Sequence, residues 1–235
     1  MREVWSRIQH VVWDWNGTLL DDVELAVTGV NHVCARFGVP AVTRDMYRAR
    51  FQFPISEFYA ALGFDLVRVP FGDIIREYLS IFDDRVRHCA LNEGALELLE
   101  CLRRNGIESS ILSASYRPTL VRTLEAKGLA GHFTHVCGLG DEQATSKLEE
   151  GRRLQEALGL EGDRIVYLGD TTHDAEIAAE LGWKSCIISR GHQDDARLAS
   201  CNALRVSGIP ALFEALPWPV IGSVPHLRGV LHDSR

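Results

Sequence analysis

Several features are missing from this sequence, and each absence narrows the class of protein. No apolar run reaches the roughly 18 residues that a membrane-spanning helix needs. No N-terminal stretch combines a charged start, an apolar run and a small-residue cleavage site, so we expect no secretory signal. Basic residues are not in excess: the formal net charge is -7, which argues against nonspecific nucleic-acid binding. We therefore expect neither membrane nor nucleic-acid partners.

Cysteine motifs are missing as well. The six cysteines are scattered, without a CxxC pair and without the spacing of a metal site. In a chain of 235 residues without a signal, we expect free buried thiols rather than disulfides, and hence a cytoplasmic protein.

What the sequence does contain is an alternation of strand and helix patterns. Short apolar, β-branched segments predict buried strands at residues 8–13, 110–112, 134–137, 164–168 and 185–189. Apolar residues at helical spacing predict helices between them. The alternation predicts an α/β fold, a Rossmann-like, doubly wound parallel sheet covered on both faces.

Residues 22–90 interrupt this alternation directly after the first strand. Their patterns are helical, with Pro54 and Pro70 as breaks, and they predict no strand. We therefore predict a discontinuous core (residues 1–21 and 91–216) with an inserted all-helical cap domain (residues 22–90). Residues 217–235 have weak periodicity and are predicted to form an irregular tail.

Polar residues cluster where the predicted strands end. Those that follow a strand or begin a helix are Asp14, Asn16, Ser113, Ser115, Lys147, Asp170 and Asp174. Ligands bind beyond the carboxyl ends of parallel strands, so we expect these side chains to converge at one edge of the sheet. A carboxylate can attack a phosphoryl group and hold it as an aspartyl phosphate. Mg²⁺ prefers oxygen ligands and would offset the repulsion between the two anions, and Asp14 and Asp170 suit that role.

Four motifs, in order, resemble those of haloacid dehalogenase (HAD) superfamily hydrolases. Residues 14–19 match the first motif, DxDGT, at all but one position, and Leu112-Ser113-Ala114 matches the second. Lys147 matches the third motif, and residues 169–174 match the fourth, GDxxxD. The resemblance covers residues 8 to about 216, and a helical insertion after the first strand is similar to the phosphoglycolate phosphatase branch.

The resemblance implies a role for each matching residue. Asp14 would be the nucleophile and a Mg²⁺ ligand, with the backbone carbonyl of Asn16 and the Asp170 carboxylate as further ligands. Ser113 and Lys147 would bind the phosphoryl oxygens of a small phosphorylated substrate. The supporting residues would be Thr18, from the first motif, and Asp174, which would orient Lys147 or the metal's waters.

Asn16 is the departure from the pattern. The phosphatases of this superfamily have an aspartate there that protonates the leaving oxygen and then activates water, and an amide does neither. General acid–base catalysis is typically worth about 10²–10⁴-fold. Three interpretations stay open: a phosphatase that is slowed or uses another acid, an enzyme that cleaves carbon–phosphorus or carbon–halogen bonds or transfers a phosphoryl group, and a weakly catalytic protein that binds phosphorylated ligands. A phosphonatase would need a cap lysine, and the chain has no lysine from Asp22 to Cys101.

Substrate selection is expected to fall to the cap, which would close over the sheet edge. Arg50 lies in a predicted break between two cap helices, and Arg117 follows the second motif. Either arginine is a candidate partner for an anionic leaving group.

Overall fold

A parallel sheet of six strands forms the core of the protein. The structure, a computed structural model, describes residues 5–140 and 146–216. The strands of the sheet are β1 (His10–Trp13), β4 (Glu108–Tyr116), β5 (His135–Leu139), β6 (Ile165–Gly169), β7 (Lys184–Ile188) and β8 (Leu204–Val206). Their spatial order is β5-β4-β1-β6-β7-β8, and every neighbouring pair is parallel. The predicted α/β class is confirmed.

Helices cover both faces of this sheet. They are α5 (Ala95–Arg104), α6 (Arg117–Ala126), α7 (Lys147–Leu158), α8 (Thr172–Glu180), α9 (Asp195–Leu198) and α10 (Ile209–Ala215). Successive strand residues point to opposite faces. Val12 of β1 accordingly packs in one buried cluster with Leu154 of α7 and Ile177 of α8, while Trp13 belongs to the cluster that contains Leu98 of α5. The doubly wound arrangement follows from this two-sided burial of β1.

Four helices lie between β1 and the rest of the sheet in sequence. They are α1 (Val23–Phe37), α2 (Arg44–Arg50), α3 (Ile55–Ala61) and α4 (Phe71–Arg85), and we call residues 22–90 the helical segment. A two-stranded antiparallel ladder of β2 (Leu20–Asp21) and β3 (Ala90–Leu91) joins its two ends. The expectation of no strand was therefore wrong at Ala90, because a ladder of two residues is too short to leave a pattern. The proposed domain boundaries stay a prediction, and the predicted tail lies outside the described residues.

Helix α2 extends into a region that was predicted to be a break between two helices. Residues 48–54 were predicted to lie between helices, yet α2 continues to Arg50. The Thr43 side chain caps the helix by accepting a hydrogen bond from the Met46 backbone N–H. Tyr47 is its one buried residue, so the helix has too little apolar periodicity to be read from the sequence.

The outer strand β8 was also missed. It has three residues, Leu204 to Val206, and pairs only with β7 at the edge of the sheet. Among the described residues, no helix has both the length and the apolar character needed to cross a membrane.

Candidate active site

Lys147 lies between two carboxylates at the carboxyl edge of the sheet. Its Nζ atom donates hydrogen bonds to Asp14 Oδ1 and Asp174 Oδ1, both at 2.7 Å. All three side chains are buried. Asp14 follows β1, Asp174 lies in the first turn of α8, and Lys147 is the first residue of α7. The structure thus brings together the first, third and fourth motifs.

Asp170, directly after β6, completes a cluster of three carboxylates. Oxygen atoms of Asp14, Asp170 and Asp174 lie within 4.8 Å of one another. Asp170 accepts hydrogen bonds from the Thr18 hydroxyl at 3.1 Å and from the His192 backbone N–H at 2.6 Å. The supporting place predicted for Thr18 is therefore next to Asp170.

Gly17 allows the first motif to approach Asp170 this closely. Its φ is +71°, and a Cβ atom built on it would lie 2.4 Å from Asp170 Oδ2. A larger residue would be strained in backbone conformation and would clash with the carboxylate.

Asp174 is saturated with hydrogen bonds from the protein. Oδ1 accepts from Lys147 and from the Tyr167 hydroxyl, at 2.7 and 3.2 Å. Oδ2 accepts from the Thr171 hydroxyl at 2.8 Å and from the backbone N–H groups of Asp170 and Thr171. With its oxygens occupied in this way, Asp174 is better suited to hold Lys147 than to bind a metal directly.

The Asn16 side chain is fixed at both ends. Its Nδ2 donates to Asp22 Oδ2 at 2.7 Å, and its Oδ1 accepts a short hydrogen bond from the Ser115 hydroxyl. Asp22 also accepts from the Gly17 backbone N–H at 2.7 Å. The amide is therefore a positioned group within the site, held by a carboxylate that lies outside the four motifs.

His192 is the second residue that sequence reasoning missed. It is buried, its Nδ1 is 2.8 Å from the Tyr47 hydroxyl, and its Nε2 is 3.4 Å from Asp22 Oδ1. A weaker signal was available, because His192 lies four residues beyond the end of β7, at the sheet edge where Asp14 and Asp170 directly follow β1 and β6.

Burial and charge shift the pKa of Asp14, Asp170 and His192. Burial, reinforced by Asp174 and Asp170, raises the pKa of Asp14 despite Lys147. Burial likewise raises the pKa of Asp170, to about 6. For His192, burial lowers the pKa, but the carboxylates of Asp22, Asp170 and Asp14 together raise it to about 9.

Burial and neighbouring charges also shift the pKa values of Lys147 and Asp174. Burial works against the Lys147 ammonium, but Asp14 and Asp174 raise its pKa above the ordinary value. Burial works against the Asp174 carboxylate too, yet Lys147 and the Thr171 hydrogen bonds lower its pKa. Lys147 is therefore a permanent cation in this site.

The site opens into a cavity of about 380 Å³ between the sheet edge and the helical segment. On the sheet side it is lined by Asp14, Asn16, Ser113, Ser115, Lys147, Asp170, Asp174 and His192, among others. Ser113 is buried and accepts a hydrogen bond from the Ser115 backbone N–H at 3.1 Å. Because the Ser115 hydroxyl is engaged by Asn16, Ser113 is the better placed hydroxyl for a ligand.

The two candidate substrate arginines are not brought to this cavity. Arg50 and Arg117 are both exposed, and neither lines it. Arg117 instead donates to the Val136 carbonyl at 3.3 Å. The neighbouring Arg48 donates three hydrogen bonds of 2.8 Å to the carbonyls of Ser189, Gly191 and Gln193, and so ties α2 to the loop after β7.

Known proteins share both the sequence pattern and the fold. The chain is 26% identical over 190 residues to the tyrosine-protein kinase PtkA of Mycobacterium tuberculosis, covering 78% of this chain but only 63% of the kinase. It is 24% identical over 198 residues to a phosphoglycolate phosphatase of Synechococcus elongatus, covering 83% of this chain and 90% of the phosphatase.

A solved structure and a family profile complete the comparison. The structure of a putative haloacid dehalogenase-like hydrolase from Bacteroides fragilis superposes with a TM-score of 0.76 at 23% identity, over 87% of this chain and 99% of that one. The profile of the haloacid dehalogenase-like hydrolases matches residues 11–188, which include the motifs built around Asp14, Ser113, Lys147 and Asp170. The predicted family is thereby confirmed. The chain belongs to the haloacid dehalogenase-like hydrolase family.

Proposed function

We propose that the protein is a Mg²⁺-dependent hydrolase of a small phosphorylated metabolite that works through an aspartyl phosphate on Asp14. The observation that carries the proposal is the placement of Asp14: its carboxylate is held by Lys147 at 2.7 Å and lines a cavity at the carboxyl edge of the sheet. The similarity to a phosphoglycolate phosphatase supports phosphomonoesters as the substrate class.

The donor set fits Mg²⁺. The floor of the cavity holds the carboxylates of Asp14, Asp22, Asp170 and Asp174, against the cations Lys147 and His192. The carboxylates outnumber these cations and offer hard oxygen ligands, the kind that Mg²⁺ prefers. Asp14 and Asp170 would hold the ion, with the backbone carbonyl of Asn16 as the third protein ligand that the family resemblance implies. Bound there, Mg²⁺ would neutralise charge that otherwise repels a phosphate.

The residues of this chain have distinct tasks in the reaction. The Asp14 carboxylate attacks phosphorus, the bond from phosphorus to the leaving oxygen breaks, and that oxygen keeps the electron pair. Water then attacks the phosphoryl group and the bond to Asp14 breaks, which restores the carboxylate and releases phosphate that carries the oxygen and protons of the water. Lys147 and Ser113 bind phosphoryl oxygens, Asp174 holds Lys147, and the helical segment acts as a cap that excludes water.

Asn16 supports a second candidate, a weakly catalytic protein that binds phosphorylated ligands. Its amide, fixed by Asp22 and Ser115, has no proton to give a leaving alkoxide and cannot accept one from water. Cleavage of carbon–phosphorus or carbon–halogen bonds is less well supported, because the helical segment lacks the lysine that a phosphonatase would use.

The experiment that separates these candidates is a screen of phosphorylated metabolites and of one phosphonate, with Mg²⁺ and with EDTA. Mg²⁺-dependent release of phosphate from esters, lost in Asp14→Asn, supports the hydrolase. Saturable binding of the same esters without release favours the binding protein. Activity that persists in EDTA would remove Mg²⁺ from the proposal.

A further inference from the structure

The wall that the helical segment contributes to the cavity is apolar and aromatic. Its side chains include Phe51, Phe53, Phe58, Ile75 and Leu79. The charged residues that this segment places on the wall are Asp22 and Asp83, both acidic. A leaving group with a carboxylate or a second phosphate would thus meet no positive charge from the helical segment, although it would need one to offset its desolvation. The nearby imidazole of His192 already faces the Asp22 carboxylate, at 3.4 Å.

The aromatic side chains form a connected surface. Phe51 packs edge-on against Phe53 and Phe58, with ring centroids 5.6 and 5.4 Å apart. Phe53 in turn stacks on His173 of the core helix α8 at 4.6 Å. Rings held in this way offer a preformed surface for another ring, since offset and edge-to-face pairs are favourable.

The sheet side of the cavity favours leaving groups that depart without a proton. In the family pattern, position 16 holds the acid that protonates the departing oxygen; here it is an amide, held by Asp22 and Ser115. A phenolic hydroxyl has a pKa of about 10, far below that of an aliphatic alcohol, whose hydroxyl is nearly as weak an acid as water. A phenolate can leave without prior protonation, whereas an alkoxide cannot leave easily.

We propose that the cavity takes a phosphomonoester of a small, uncharged aromatic hydroxyl compound. This inference rests on the proposed phosphatase function and specifies its substrate class. In the first step the phosphoryl group passes to Asp14, and the aryl oxygen keeps the electron pair of the broken bond. The phenolate diffuses out and takes its proton from solvent, so no acid at position 16 is needed.

Three substrates test the leaving-group requirement and the cavity wall separately: phenyl phosphate, cyclohexyl phosphate and 2-phosphoglycolate. Phenyl and cyclohexyl phosphate are similar in size and apolarity but differ in leaving-group pKa. Their ratio of kcat/KM should exceed about 10²-fold in favour of phenyl, the low end of what general acid catalysis supplies. The kcat/KM value reports the first irreversible step, so slow hydrolysis of the aspartyl phosphate does not hide the difference.

Binding tests the cavity wall independently of turnover. Asp14→Asn should bind phenyl and cyclohexyl phosphate with similar Kd values, and 2-phosphoglycolate at least about tenfold more weakly, a difference of about 1.4 kcal/mol. A kcat/KM for 2-phosphoglycolate equal to or above that for phenyl phosphate would overturn the inference. If no ester is hydrolysed, the proposed function fails, and the order of the three Kd values still decides which ligand class the wall accepts.

A variant that adds a positive charge to the cavity wall gives a further test. Leu79 on α4 lines the cavity and is only half-buried, so Leu79→Arg should fold. It should lower kcat/KM for phenyl phosphate and raise it for 2-phosphoglycolate, since it supplies the missing cation. The control is Val67→Arg, which adds the same charge at a residue that is 96% exposed and does not line the cavity. Equal responses of the two variants would contradict the assignment of the wall.

Discussion

The side-chain amide of Asn16 donates a hydrogen bond to the carboxylate of Asp22, with 2.7 Å between the two heavy atoms. Position 16 and position 22 therefore form a pair, in which one group is the donor and the other the anion. A carboxylate at position 16 would face a second carboxylate across the same distance. An acid at position 16 would therefore have to share this space with the acid at position 22.

Because of this pairing, we do not expect Asn16→Asp alone to restore acid catalysis. The single variant places two buried anions side by side, which raises a pKa and disturbs the loop, so we expect little gain. The double variant Asn16→Asp, Asp22→Asn keeps the charge, lets the new amide donate to position 16, and lets its oxygen accept from the Gly17 N–H. It should raise kcat/KM for an alkyl phosphate by about 10²–10⁴-fold.

The aryl ester is the internal control for that experiment. Phenyl phosphate should respond far less than cyclohexyl phosphate, because its oxygen leaves without a proton. Equal gains on both esters, or none on either, would show that Asn16 does not stand in the place of an acid.

Asp14→Asn should abolish turnover. An amide neither attacks phosphorus nor contributes negative charge to the metal site, so we expect a loss of at least about 10³-fold in kcat. The matched control is Asp21→Asn, which removes an exposed carboxylate close by in sequence. Single-turnover phosphate release measures both variants, and residual activity of Asp14→Asn within a few-fold of wild type would exclude the nucleophile.

Asp170→Asn tests the metal. The substitution keeps the size of the side chain, and the Thr18 hydroxyl can rotate to accept from the new amide while the His192 N–H still finds an oxygen. We expect Mg²⁺ to raise the Tm of the wild type and not that of the variant, as judged by thermal unfolding with and without the ion. An undiminished Mg²⁺ shift in the variant would place the metal elsewhere.

His10 should make the stability depend on pH, at a distance from the active site. It is 1% exposed, its Nε2 is 2.8 Å from the Ser110 hydroxyl, and burial lowers its pKa to about 4. The unfolded chain therefore takes up a proton first as pH falls, and stability is lost from about pH 6.5 downward. Between pH 7 and pH 5 this loss should be about 2 kcal/mol.

Urea unfolding at the two pH values measures the effect, with His10→Gln as the reference. Glutamine can keep the hydrogen bond to Ser110 and does not titrate. The wild type should lose more free energy of unfolding than the variant over this interval, and parallel losses would refute the role of His10.

Arg48→Met should weaken the attachment of the helical segment. The substitution removes three hydrogen bonds from a guanidinium to buried carbonyls, and we expect the free energy of unfolding to fall by about 2 kcal/mol. Arg50→Met, at an exposed position on the same helix, should change it by less than about 0.5 kcal/mol. Chemical denaturation compares the two, and similar values would contradict the anchoring role.

The α/β class and the convergence of Asp14, Lys147 and Asp170 could be predicted from the sequence. The motifs around Asp14, Lys147 and Asp170 could be found because each follows a strand or begins a helix, where chain direction alone sets the position of the side chain. Arg50 and Arg117 could not be judged in the same way. Whether an arginine on a short helix faces a cavity or solvent depends on packing, and α2 itself has too few buried residues to be recognised.

The three hydrogen bonds from Arg48 have a consequence for building chimeras. They end on residues 189–193, a loop that also donates to Asp170 through the His192 N–H and accepts from the Thr172 N–H through the Gln193 side chain. If the helical segment were exchanged alone, these three carbonyls would lose their hydrogen-bond donor unless the replacement segment had an arginine at this position. Recombination that aims to transplant substrate preference should therefore carry residues 22–90 and 189–193 together, as a two-part cassette.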